Sequence, residues 1–254
     1  MENFLYCIIF VMGSFFGSFF TLAVYRLPKK EDILTKHSYC PNCNHKLGFL
    51  DLFPIFSYIF LRGTCRYCKI KIRPRYFILE LLSGITFLLM AISLKIDIYS
   101  INIINIFSYL IYIAVLFIIA GIDKEYIKIE RGPLIFGFVF EFIYIIYECA
   151  LKNIDVYKYV IYLVMIIILL TLSIISLKRN MKQKYFIQIL FLSLYMIIFS
   201  GSIIYILSVI LTLLSIGFYT IKIKTKENIP VGFYLCVSNI IVMIVTNFIC
   251  NYIM

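Results

Sequence analysis

Apart from residues 28–76, this chain of 254 residues is a succession of apolar runs, each close to the roughly 20 residues that an α-helix needs to cross a bilayer. With 63 % of residues hydrophobic and 15 % charged, the composition excludes an ordinary soluble domain, in which about half the residues are apolar. The runs fall at 4–26, 77–94, 99–122, 133–151, 157–177, 185–200, 202–221 and 231–253. They predict an all-α polytopic membrane protein with about eight transmembrane helices. The first run lacks a basic start and a small-residue cleavage site, so it reads as an anchor and not as a removed signal peptide.

Charge sets the expected orientation. Of the 24 Lys and Arg residues, only Lys95, Lys152 and Lys158 fall in one alternate set of loops, and the rest cluster at 26–76, 123–132, 178–184 and 222–226. Because basic residues near helix ends are retained on the cytoplasmic side, the polar stretch between the first two helices is expected in the cytosol and both termini outside, in a plasma or inner membrane. The net charge of +11 is accounted for by this topology and by anionic lipid, with no nucleic acid partner required.

Within the polar stretch stand two knuckles, Cys40-Pro41-Asn42-Cys43 and Cys65-Arg66-Tyr67-Cys68. A CxxC turn aims two thiolates at one point, and a second turn completes a four-sulfur shell of the kind that suits Zn(II). In a reducing compartment the thiols stay free for metal. Residues 28–76 are too few to bury much core, so the metal is expected to supply much of the folding free energy of this hairpin. His45 follows Cys43 closely but is expected to be a loop residue, since four thiolates already fill the shell. The division that follows is a first transmembrane helix at 1–27, a zinc-binding cytosolic domain at 28–76 and a transmembrane bundle at 77–254.

Two further features carry information. Gly13-Ser14-Phe15-Phe16-Gly17-Ser18 puts small residues four apart on one face of the first helix, where a second helix can approach closely. Asp123 ends the third apolar run in Ile119-Ala120-Gly121-Ile122-Asp123-Lys124-Glu125, and a carboxylate at the bilayer edge is a candidate general acid or base.

The residues Gly17-Ser18-Phe19-Phe20-Thr21-Leu22-Ala23-Val24-Tyr25-Arg26-Leu27-Pro28, the two knuckles, Asp51-Leu52-Phe53-Pro54, Arg75-Tyr76, Glu80, Ile122-Asp123 and Ile229-Pro230-Val231-Gly232-Phe233 together resemble the bacterial prepilin peptidases. That resemblance implies a membrane aspartyl endopeptidase that cleaves prepilin or pseudopilin precursors after a glycine at the cytosolic face. It also implies methyl transfer from S-adenosylmethionine to the new N-terminus, with residues 28–76 as the methyltransferase-associated region and Asp123 as the first catalytic acid.

The second aspartate of that family lies in a GxGDxK motif about 60 residues after the first, and this chain has Lys178-Arg179-Asn180-Met181-Lys182-Gln183-Lys184 there. Glu227 is the acid best placed to substitute for it; Glu125 is only two residues from Asp123 and would not face it on a continuous helix. The alternative reading is a degenerate homologue with lost or impaired proteolysis, acting as a methyltransferase or assembly partner. Glu31, Asp32, Asp51 and Glu80 are the expected contacts for the basic leader of a precursor.

Overall fold

The computed structural model describes residues 2–253 except 33–36, 41, 96–102, 153–159, 166, 169–170, 172–180 and 224–228. The chain divides into two compact units, Met1–Ile106 and Phe107–Met254.

The first unit holds α1 (Glu2–Arg26), the short α2 (Phe56–Phe60) and α3 (Arg75–Ser93). Pro28 and a left-handed Lys30 (φ 57°) close a single 3₁₀ turn after α1, and Pro74 caps the start of α3. Arg26, in the last turn of α1, is 95 % removed from solvent, and its guanidinium donates to the backbone carbonyls of Asp32 (3.1 Å) and His37 (3.4 Å). The end of the helix is thereby tied to the loop that leads into the first knuckle.

The expected close approach along the small residues of α1 is present, and α3 is the helix that makes it. A Cβ placed on Gly17 would lie 2.7 Å from the Cα of Glu80, one on Gly13 would lie 2.8 Å from the Cβ of Phe87, and one on Gly84 would lie 2.6 Å from the hydroxyl of Ser14. With the backbones this near, the Ser83 hydroxyl donates across the interface to the carbonyl of Gly13 at 2.7 Å. Lipid supplies no hydrophobic drive between helices, so contact of this kind is what can hold such a pair together.

The second unit contains α4 (Ile103–Tyr126), α5 (Arg131–Lys152), α6 (Met181–Ser200), α7 (Ser202–Ile223) and α8 (Val231–Tyr252). A lone glycine in the left-handed region, Gly201 at φ 84°, separates α6 from α7. Stacked rings of Tyr112 and Phe199, 4.1 Å apart and nearly parallel, fill its centre with Leu116, Leu192 and Met196. Tyr112 and Asn239 are hydrogen-bonded at that depth. The Tyr112 hydroxyl donates to Asn239 Oδ1 at 2.8 Å, and Asn239 Nδ2 donates to the hydroxyls of Ser208 (3.2 Å) and Ser200 (3.4 Å).

Six helices among the described residues are long and apolar enough to cross a membrane, and the apolar stretch of α6, Lys184–Ser200, is shorter. The expected span at 157–177 falls largely outside the described residues. The chain is a nearly all-helical membrane protein whose apolar side chains face outward, as on Leu213, Leu214 and Phe218 of α7.

The α1–α3 contact gives an expected outcome. Gly17→Ala forces a methyl against backbone and should lower unfolding stability in detergent by about 1–3 kcal/mol. Gly217→Ala in α7, where a Cβ meets nothing within 4 Å, should be neutral or stabilising by up to about 1 kcal/mol. Thermal unfolding of the two purified variants checks the contrast.

Candidate functional site

The two cysteine knuckles share one backbone pattern. In the first, Asn44 N–H donates to Cys40 O (2.9 Å) and Cys40 N–H to His45 O (3.0 Å); in the second, Lys69 N–H donates to Cys65 O (3.0 Å) and Cys65 N–H to Ile70 O (2.9 Å). In each, the residue after the second cysteine is left-handed, Asn44 at φ 55° and Lys69 at φ 59°. An antiparallel bridge closes each turn, Tyr39 to Lys46 and Thr64 to Lys71. The chain thus repeats a small structural unit that has little sequence identity beyond its cysteines.

The outcome of that repetition is a cluster of four sulfurs. Cys40, Cys43, Cys65 and Cys68 place their Sγ atoms within 4.8 Å of one another, a group that could hold a metal ion. The Cys40–Cys68 sulfur separation of 3.8 Å matches the edge of about 3.8 Å expected for a tetrahedron with metal–sulfur bonds of about 2.3 Å. Donors already favour thiolate at some positions. The Ile70 N–H, then the Asn42 side-chain amide at 3.6 Å, hold the Cys68 thiol down to about 6. Cys43 receives the His45 N–H, yet lost solvent and the neighbouring Cys40 and Cys68 thiols push it up to about 11. Four thiols this close cannot all ionise without a cation among them. His45 is not part of the shell; its ring lies 3.6 Å from that of Tyr67.

Two of the acids expected to meet a substrate, Asp51 and Glu80, make hydrogen bonds within this unit. Asp51 accepts from Arg66 Nε at 2.6 Å, from Gly48 N–H at 3.1 Å and from the Tyr67 hydroxyl at 3.3 Å, joining the loop to the second knuckle. Although burial alone would raise it, these donors hold its carboxyl below the usual range. Glu80 Oε2 accepts the Ile55 N–H at 2.8 Å and so supports a branched residue forced to φ 63°.

In the second unit, Asp123 sits in the last turn of α4 and is fully buried. Its Oδ2 accepts from the Phe233 N–H at 2.9 Å and from the Tyr185 hydroxyl at 3.0 Å. Tyr185 in turn accepts from the Gly232 N–H at 3.3 Å. These amides are free to point at the carboxylate because they open α8, where the first-turn N–H groups have no partner within the helix. Gly232 is required for the approach: a Cβ there would lie 3.0 Å from Asp123 Oδ2 and 3.2 Å from its carboxyl carbon. The other oxygen, Oδ1, is buried with no hydrogen-bond partner among the described residues.

Of the two candidate catalytic acids, the structure therefore places Asp123 in a built environment, while Glu227 lies outside the described residues. Glu125 is exposed on α4 while Asp123 is buried. The group found on Asp123 is a phenol. Tyr185, at the start of α6 and 62 residues after Asp123, was not a sequence candidate. Its position where a second acid is sought was the available signal. Two further acids, Glu141 and Glu148, lie inside an apolar run and are buried on α5.

Residues 11–94 match the family model described as Bacterial Peptidase A24 N-terminal domain. Among curated proteins, the chain is 39 % identical over 88 residues to a prepilin leader peptidase/N-methyltransferase of Vibrio cholerae, covering 31 % of this chain and 35 % of that one. It is 38 % identical over 79 residues to one of Myxococcus xanthus, covering 31 % and 24 %. To one of Bacillus subtilis it is 31 % identical over 129 residues, covering 51 % and 50 %. The matches thus span between about a quarter and a half of the relatives' length. No solved structure matches. Residues 11–94 are thus similar to the N-terminal domain of the bacterial peptidase A24 family, and the curated relatives matched are prepilin leader peptidase/N-methyltransferases.

Proposed function

We propose that the chain is a prepilin leader peptidase and N-methyltransferase of the cell membrane, acting on prepilin-like precursors. The observation that carries the peptidase arm is Asp123, buried at a helix end with one oxygen held by the Phe233 amide and Tyr185 and the other without a hydrogen-bond partner among the described residues. In this reading Asp123 Oδ1 takes a proton from water as the water oxygen bonds to the scissile carbonyl carbon. A proton then passes to the amide nitrogen as the carbon–nitrogen bond breaks. Oδ2 is already saturated with donors, so the carboxylate presents a single oxygen in a fixed direction. Glu227 is the sequence candidate for the second acid. Tyr185 supports a second route, since a phenol donates a hydrogen bond across the neutral range.

The four-cysteine cluster holds zinc in this reading. A structural zinc closed by four thiolates supplies folding energy and no open coordination position. It fixes the hairpin at 28–76, the region we assign to the methyl-transfer arm with S-adenosylmethionine as donor, between a first helix at 1–27 and a peptidase bundle at 77–254. The distribution of Lys and Arg supports a cytosolic hairpin with both chain ends outside.

Two experiments test these assignments. In membranes given a prepilin, Asp123→Asn should lower cleavage by about 10²–10⁴-fold, the usual contribution of a positioned acid or base. Gly232→Ala should also impair cleavage by displacing the carboxyl, whereas Glu125→Gln should not. Full cleavage by Asp123→Asn rules out the peptidase assignment, and methylation of a pre-cleaved precursor without cleavage by the parent chain leaves the methyltransferase arm alone. For the metal, elemental analysis should give about one zinc per chain, and Cys65→Ser with Cys68→Ser should abolish it. Since the ligands are thiolates, zinc should be lost as pH falls and protons compete for sulfur. Unchanged zinc in the double variant would exclude the cluster.

A further inference from the structure

Glu141 lies at the midpoint of the membrane-crossing segment Arg131–Ala150 and is 4 % exposed. Both of its carboxyl oxygens are buried without a hydrogen-bond partner among the described residues. Its position is built by packing. Gly137, one turn earlier on the same face of α5, lets the Tyr195 phenol lie against the helix: a Cβ there would meet the Tyr195 ring and hydroxyl at 2.8–2.9 Å. Tyr195 of α6 and Tyr112 of α4 are the polar groups in electrostatic reach of Glu141, with Cys236 of α8 beside both tyrosines. Glu148, two turns further along α5, is also buried and contacts the Tyr144 hydroxyl. No cationic side chain among the described residues interacts with Glu141.

An ionised carboxyl at this depth, lacking a cation and hydrogen-bond donors, has lost hydration worth many kcal/mol with nothing in exchange. A polar residue in that position is retained in membrane bundles chiefly where a proton, an ion or a substrate uses it. The surroundings favour the proton, because neutral phenols and a thiol cannot replace the shell of oxygen ligands that a metal cation sheds on entry. From the apolar enclosure of Glu141 between Gly137, Tyr195 and Tyr112 we propose that it is an intramembrane proton-binding site, a carboxylic acid inside the second unit that is distinct from Asp123 and independent of the processing reading.

Dicyclohexylcarbodiimide tests this on the full chain in detergent, because it adds to a carboxyl that carries its proton in apolar surroundings. In that addition the carboxyl oxygen bonds to the central carbon and the proton moves to nitrogen. A solvated glutamate keeps only about one part in 500 protonated at neutral pH. The peptide containing Glu141 should therefore carry the adduct at neutral pH, at a level on the order of 100-fold above the exposed Glu125. Glu141→Gln should abolish labelling at that position and remove a carboxylic C=O band from the infrared spectrum. Peptide mapping of the parent chain decides the matter even if the variant fails to fold. No adduct at Glu141, or equal labelling at Glu125, overturns the proposal. Loss of the adduct on adding sodium or potassium at constant pH overturns it too, by assigning the site to a metal cation.

Discussion

A buried carboxylate in a membrane bundle persists where protein dipoles replace the water it has lost. In the second unit those dipoles are the Phe233 N–H and the Tyr185 hydroxyl, and they reach Asp123 because residue 232 has no side chain. One contact therefore makes three helix ends converge: the last turn of α4, the start of α6 and the start of α8. The free amides at the opening of α8 would otherwise be orphaned in an apolar setting, so helix and carboxylate satisfy each other. With Oδ2 so occupied, Oδ1 stays buried without a hydrogen-bond partner among the described residues.

The first unit solves a different problem with similar means. Residues between α1 and α3 cannot bury enough surface to fold on hydrophobic packing alone, so they are tied at a few points. Arg26 ties the exit from α1, Glu80 ties the turn at Ile55, and Asp51 ties Arg66 and Tyr67. What remains is the four-sulfur cluster, whose two halves are built by the same hydrogen-bond pattern. Each half needs a left-handed residue, and neither Asn44 nor Lys69 is glycine. That conformation costs of order 1 kcal/mol at each site, which closure of a metal shell would offset.

Where the sequence was legible, the cause was a short-range rule. Apolar runs gave the helices, the CxxC spacing gave the sulfur cluster, and Gly13 and Gly17 marked the face that α3 packs on. Asp123 stands out in the sequence as a carboxylate closing an apolar helix, and the structure buries it. The partner of Asp123 does not stand out. Tyr185 and the Gly232–Phe233 amides are brought to it by packing of α4, α6 and α8, which no local pattern encodes. Tyr185 is not a carboxylate, so a motif that calls for a second acid does not point to it. Glu141 and Glu148 stand in a run whose apolar character marks a helix and says nothing of the acids it carries.

A phenol beside a carboxyl follows a different acid–base logic from a second carboxyl. Two adjacent carboxyls hold one proton between them, because the like charges resist joint ionisation, and their titrations are inseparable. A phenol, whose ordinary pKa is near 10, donates a hydrogen bond without competing with a carboxyl for one proton. In this chain Tyr185 also accepts from the Gly232 amide, which orients its hydroxyl toward Asp123.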